Sequence, residues 1–257
     1  MKLNTLSIMV AALAAAGSAE AGLSVDNTGY NYSQSFDTLA ASGSAVAWAN
    51  DSTLAGWSLF KTNTTTPVTS YIADTGSSNT GGIHSYGSTA ERALGGLGSN
   101  SFNGWIAVAF SNATGKALDG FKLSFDGEQW RNGGNTSKQT MTLQYGFGSS
   151  FASVSNWVAP GGNFDWSSPL ASSTAAAVNG NTVGLLANRG GTVNTNWAAG
   201  STLWVRWVEN NDVGNDHGLA IDNVKFSVVS SVPEPQTYAL LLAGLAGVGF
   251  VARRRKA

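Results

Sequence analysis

The side chains best equipped for chemistry in this chain are its acids, its arginines and its two histidines. The run Gly127-Glu128-Gln129-Trp130-Arg131-Asn132-Gly133-Gly134 puts a carboxylate, an indole and a guanidinium almost side by side. An indole can stack on a sugar ring while a carboxylate and a guanidinium bond its hydroxyls, so Glu128, Trp130 and Arg131 are candidate ligand contacts. The competing role is structural, with Glu128 facing Arg206 or Arg92 across neighbouring strands; removing one partner would then strand a buried charge. Asp37, in Ser35-Phe36-Asp37, ends the first predicted strand and Asp222, in Ile221-Asp222-Asn223, lies in the last, and the first and last strands of a jelly roll are often neighbours. Hard carboxylate oxygens suit Ca²⁺, so Asp37 and Asp222 are candidate ligands of a structural Ca²⁺. A strand pair held by hydrogen bonds alone is the alternative.

Catalysis finds less material. There is no cysteine, which excludes thiolate metal sites, disulfides and cysteine nucleophiles. His84 and His217 are the only histidines, and no G-x-S-x-G elbow accompanies His217. Asp126 with Glu128, or Asp212 with Asp216, could form an acid and base pair, but proximity in sequence does not set the carboxyl separation glycoside hydrolysis needs. No residue is assigned a catalytic role, and the chain is expected not to be an enzyme.

The elements that must position these groups are strands. Only 11% of the 257 residues are charged and 32 are glycine, with 9 Trp, 11 Phe and 6 Tyr. A net charge of −1 excludes nucleic-acid binding by bulk electrostatics. Phe121, Leu123 and Phe125 alternate with polar neighbours, as do Met141, Leu143 and Tyr145, and Leu203, Val205 and Trp207 alternate with Trp204, Arg206 and Val208. Ile221, Val224 and Phe226 break the period, which predicts a bulge near Asp222-Asn223. Further strands are predicted at 30–36, 57–61, 70–72, 92–94 and 105–111, and 171–178 is expected to be a loop. Turns are expected at Asn79-Thr80-Gly81-Gly82, Asp119-Gly120, Asn132-Gly133-Gly134-Asn135, Pro160-Gly161-Gly162-Asn163 and Asn179-Gly180-Asn181. The expected class is all-β, an antiparallel jelly-roll-like β-sandwich of roughly ten strands.

Both ends carry addresses. Lys2, an apolar run and Ala19-Glu20-Ala21 form a signal peptide over 1–21, a signal helix cut by signal peptidase after Ala21. The body spans 22–231 with 9 basic and 13 acidic residues, a net of −4. In the tail, 232–257, Pro233-Glu234-Pro235 precede an apolar stretch and the cations Arg253, Arg254, Arg255 and Lys256. That stretch predicts a single transmembrane helix, short for a bilayer core of about 30 Å, with its cations held in the cytoplasm.

Motif, short helix and basic end, in that order, resemble the PEP-CTERM sorting signal of Gram-negative bacteria. The resemblance implies passage through the inner membrane and cleavage by an exosortase. The strings Tyr86-Gly87-Ser88, Glu91-Arg92-Ala93-Leu94-Gly95, Leu203-Trp204-Val205-Arg206-Trp207 and Asp216-His217-Gly218-Leu219-Ala220-Ile221-Asp222-Asn223, with the Glu128–Arg131 run, resemble an exported bacterial β-sandwich module. That module occurs alone or beside secreted nuclease- and phosphoesterase-type enzymes, and the resemblance implies no catalytic residues.

The expected function is a non-enzymatic cell-surface or extracellular-matrix protein that binds carbohydrate or associates with exopolysaccharide in a biofilm. A ligand-free envelope protein and a secreted hydrolase of polysaccharide or phosphoester are the alternatives. Replacing Pro233-Glu234-Pro235 with three alanines should leave the chain in the inner membrane. Membrane fractionation and gel mobility test this, and unchanged release would defeat it.

Overall fold

The computed structural model describes residues 22–62 and 64–230. The predicted signal helix with Ala19 and Ala21, the Pro233-Glu234-Pro235 motif, the predicted transmembrane helix and the cations Arg253–Lys256 lie outside the described residues. Among the described residues no helix is long and apolar enough to cross a membrane.

The strands are β1 (Leu23–Val25), β2 (Asn31–Gln34), β3 (Gly43–Ala47), β4 (Trp57–Lys61), β5 (Ser70–Asp74), β6 (Gly82–Gly87), β7 (Arg92–Leu97) and β8 (Gly104–Asn112). They continue as β9 (Leu118–Asn132), β10 (Thr140–Phe147), β11 (Trp166–Ser167), β12 (Ala176–Ala177), β13 (Leu185–Trp197), β14 (Thr202–Glu209) and β15 (Gly218–Val229). Two sheets make an all-β sandwich. A six-stranded sheet runs β1-β8-β14-β10-β11 with β4 also on β8. A nine-stranded sheet runs β12-β9-β15-β7-β6-β5-β3, with β13 also on β9 and β2 on β15.

Alternation dictates which side chains enter the space between the sheets. Phe121, Leu123 and Phe125 of β9, Met141 and Leu143 of β10, and Leu203, Val205 and Trp207 of β14 all lie in one core. The predicted bulge is present: the β15–β9 register shifts between Asp222 and Lys225, and Asn223 takes a left-handed φ of 51°. As expected, the first and last predicted strands are neighbours, with β2 antiparallel to β15.

Three features differ from the sequence expectation. Two pairings are parallel, β1–β8 and β5–β6. The second returns through a connection short for parallel strands, and Arg131 braces it by donating from Nη1 to the carbonyls of Gly76 (3.1 Å) and Ser77 (3.3 Å). Asp119-Gly120 is not a turn, since β9 runs through it. A Cβ on Gly120 would lie 2.0 Å from the Val193 carbonyl oxygen, so this glycine serves a close approach of backbones. Finally, there are fifteen strands among the described residues where roughly ten were expected. β1, β3, β6, β11, β12 and β13 were not anticipated, and β12 (Ala176–Ala177) lies in the expected 171–178 loop. β13 is rich in Gly and Asn with a largely unburied pattern that shows no apolar alternation.

Aromatic rings fill the core. Phe110 of β8 stacks on Phe226 of β15 at 3.7 Å between centroids, joining the two sheets. Trp207 stacks on Trp57 at 5.8 Å and meets the edge of Phe125 at 5.4 Å. Trp207 is fully buried, and its Nε1 has no hydrogen-bond partner. Trp207→Ala should therefore cost about 3–5 kcal/mol of stability in urea denaturation through the cavity it leaves. Trp207→Phe should cost far less, because it also removes the unpaired N–H.

Candidate functional site

On the outer face of the nine-stranded sheet, Glu128 and Trp130 alternate away from the core on β9 and share that face with Tyr86, Ala93 and Ala220. Glu128 is 1% exposed and Trp130 5%, and the Trp130 indole donates to Glu128 Oε2 at 2.8 Å. Gly180 lies so close over the Trp130 ring that a Cβ there would meet Nε1 at 2.4 Å. His84, Tyr86 and Trp130 stack in series at 4.8 and 6.3 Å. Both Glu128 and Trp130 are thus sealed under the 179–184 segment, and a sugar has no path to them. Arg131 is half-buried at a polar groove of 360 Å³ shared with Asn79, Asn100 and Asp216, while its Nη1 braces the β5–β6 connection.

Glu128 meets neither Arg206 nor Arg92. Arg92 spends its guanidinium on the carbonyls of Asp74, Ser85, Gly87 and Ser88 and the hydroxyl of Ser85. Arg206 lies on the other sheet. The neighbours of Glu128 are instead acids: one carboxylate oxygen each from Glu91, Glu128 and Asp222 lie within 4.8 Å of one another. Burial pushes Glu128 up to about 8, with Asp222, Glu91 and Asp126 adding repulsion and the Trp130 bond opposing. Burial also pushes Asp222 up to about 7, against a bond from the Asn223 backbone. Asp37, expected to share a cation with Asp222, stands outside this cluster. It is exposed, and its Oδ1 accepts the Arg92 backbone N–H at 2.9 Å.

The outer face of the six-stranded sheet is different. Trp204 and Arg206 point outward from β14, and Arg206 pairs in register with Ala107 on β8 and Gln144 on β10. The 148–160 segment folds over this face through a 3₁₀ turn, Phe151–Ser153, and packs Phe151 and Val154 on Trp204 and Ala107. The small Ala107 leaves room for the guanidinium between two indoles, 4.3 Å from the Trp105 centroid and 3.8 Å from that of Trp157. Gln144 Oε1 accepts from Arg206 Nε at 2.8 Å and Nη2 at 2.5 Å. Burial lowers Arg206 to about 10, which leaves it charged at neutral pH. Beside it opens a groove of 540 Å³ lined by Trp105, Gln144, Arg206 and the polar side chains of Asn103, Thr142 and Asn210. Elsewhere Trp48, Trp130, Trp166 and Trp197 are buried, and Trp157 is half-exposed. Trp105 was missed. Its signal lay in the outward parity of Arg206, which the alternation of β14 already carried.

His217 is fully buried. Its Nδ1 accepts the Gly133 backbone N–H at 3.1 Å and faces the Gln129 amide at 3.3 Å. Nε2 therefore carries the proton and donates to the Ser137 carbonyl at 3.2 Å. The ring ties β15 to the Asn132–Asn135 turn, with neither nitrogen free for a substrate. Burial holds its pKa below the usual histidine range. The unfolded chain then binds the extra proton first, so this contribution is present above about pH 6.5 and is lost as pH falls through the folded value. His217→Ala should cost about 1–3 kcal/mol at pH 7.5 by stranding the Gly133 donor. Urea denaturation should show the gap to wild type narrowing toward pH 5.

No curated protein matches the chain. Among solved structures, it is similar to the non-crystalline cellulose specific carbohydrate-binding module CBM28, at 11% identity over 72% of this chain and 96% of that chain, with a TM-score of 0.35. The family 11 carbohydrate-binding module from Clostridium thermocellum, in complex with a β-1,3-1,4-mixed-linked tetrasaccharide, gives 10% identity over 75% of this chain and 100% of that chain, with a TM-score of 0.31. An Arthrobacter globiformis T6 isomalto-dextranase complexed with panose gives 11% identity, 80% and 33% coverage, and a TM-score of 0.24. At such identities and scores these likenesses assign this chain no ligand. The tail is decided more sharply. Residues 231–256 match the PEP-CTERM protein-sorting motif, which marks this chain as a protein exported across the inner membrane to the cell surface or extracellular space.

Proposed function

We propose that this protein is a non-enzymatic, exosortase-processed surface or matrix protein whose jelly-roll-like sandwich binds polysaccharide on the outer face of the six-stranded sheet. Signal peptidase removes the leader, the tail helix holds the chain in the inner membrane until the exosortase cuts, and the body associates with exopolysaccharide outside the cell, as in a biofilm. The observation that supports this reading is the Trp105–Arg206–Trp157 sandwich beside an open polar groove. Indole faces suit the C–H faces of a sugar, and Gln144 with the asparagines offers both donors and acceptors to hydroxyls. Arg206 is held planar between the rings by Gln144, so the platform is ordered before any ligand arrives and little side-chain freedom is lost on binding.

The test is affinity electrophoresis of the purified protein through gels carrying soluble neutral and uronate polysaccharides, with assays for released reducing ends on the same polymers. We expect retardation by at least one polymer and no turnover. Trp105→Ala should weaken binding about tenfold, roughly 1.4 kcal/mol, and Arg206→Lys should weaken it too, since an ammonium cannot replace the planar stacked fork. No retardation by any polymer would favour a ligand-free envelope protein. Hydrolysis by the pure protein would overturn the non-enzymatic reading.

A further inference from the structure

Glu91, just before β7, Glu128 on β9 and Asp222 on β15 converge on the outer face of the nine-stranded sheet. Glu128 and Asp222 are 1% and 2% exposed. Two buried carboxylates beside the half-buried Glu91 require neutralisation, and among the described residues no Lys, Arg or His forms an ion pair with any of the three. Arg92, the nearest cation in sequence, is committed to backbone carbonyls. Part of the cluster is satisfied: Glu128 Oε2 accepts from Trp130, and Glu91 Oε2 accepts from the Asn181 side chain. The rest is not. Asp222 Oδ1 and Glu91 Oε1 are buried with no hydrogen-bond partner. An unpaired buried carboxylate oxygen costs too much to stand without cause, and two in one cluster call for an electrophile between them.

We propose that Glu91, Glu128 and Asp222 form a calcium site that ties β7, β9 and β15 together. The donors are all hard oxygens with no His or Cys, which disfavours zinc and the later transition metals. Ca²⁺ binds oxygen at about 2.3–2.6 Å, so its coordination shell is about 4.8 Å across. The three carboxylate oxygens, within 4.8 Å of one another, are close enough to share one such ion. Mg²⁺ demands near-ideal octahedral geometry at about 2.1 Å and sheds its waters reluctantly, which suits three carboxylates drawn from three different segments less well. The bulge at Asp222-Asn223 re-aims Asp222 within β15, and Asn223 secures it by donating to Asp126 Oδ2 at 3.1 Å. This site lies on the opposite sheet from the Trp105–Arg206 groove, so it stands or falls independently of polysaccharide binding.

The experiment strips the purified protein with EDTA, then follows thermal unfolding while CaCl₂ or MgCl₂ is added. We expect Ca²⁺ to raise the midpoint by several degrees, with an apparent Kd between micromolar and millimolar, and Mg²⁺ to do less. Glu128→Gln and Asp222→Asn should each abolish the Ca²⁺ shift while remaining folded in EDTA, because a neutral amide relieves the repulsion. Asp37→Asn should leave the shift intact. Tb³⁺ bound beside Trp130 should give sensitised emission that Ca²⁺ displaces and Trp130→Phe diminishes. Equal midpoints in EDTA and saturating Ca²⁺, with no Ca²⁺-displaceable Tb³⁺ emission, would overturn the site. A Ca²⁺ shift that survives in Glu128→Gln or Asp222→Asn would overturn the assignment to these residues.

Discussion

The register of one strand, β15, governs the rest of this sandwich. It pairs with β9 along nearly its whole length, and with β7 and then β2 on its other edge. A slip of one residue would turn Leu219, Ile221, Val224 and Phe226 out of the core and Asp222 and Lys225 into it. The bulge at Asp222-Asn223 is what permits both halves of the strand to face inward, since the core positions run 219, 221, 224 and 226. It also lets one edge of β15 serve two partners, β7 before the bulge and β2 after it. Phe226, placed by this register, stacks on Phe110 and couples the two sheets.

A chain with so few charges still buries several, and it handles them in three ways. Arg92 is fully buried and surrounded by carbonyl oxygens of the β5 to β7 region, so its charge is solvated by backbone. Arg206 is flanked by indole faces and an amide oxygen. Glu209 is buried near Asp216 and Asp212, and burial raises its carboxyl well above the usual range, which favours the neutral acid. Burial raises Glu128 and Asp222 as well, to about 8 and about 7, but these two also converge with Glu91, one carboxylate oxygen from each lying within 4.8 Å of the others.

The two outer faces are correspondingly unlike. Over the nine-stranded sheet, the 179–184 segment and the braced β5–β6 connection close onto Trp130 and leave an aromatic stack that solvent does not reach. Over the six-stranded sheet, the 148–160 segment covers Trp204 and stops at Trp157, leaving Trp105 and Arg206 beside an open groove. The same kind of covering loop therefore seals one face and furnishes the other.

Period-2 alternation determined the fold class, the inward faces of β9, β10, β14 and β15 and the bulge, because those follow from backbone geometry and from apolar burial within a few residues. The export address was equally legible, since a sorting signal is linear. Only tertiary structure decided the sites. Glu128, Trp130 and Arg131 are adjacent in the chain and invited a common ligand, yet the loop that buries the first two comes from some fifty residues away. Asp222 was legible as a candidate cation ligand, but its companions Glu128, on β9, and Glu91, just before β7, are set beside it only by the register of those strands on β15. Trp105, Gln144, Trp157 and Arg206 are likewise spread over three strands and a loop. Non-local hydrogen bonding brings such groups together, and no pattern in the linear sequence encodes which strand will lie beside which.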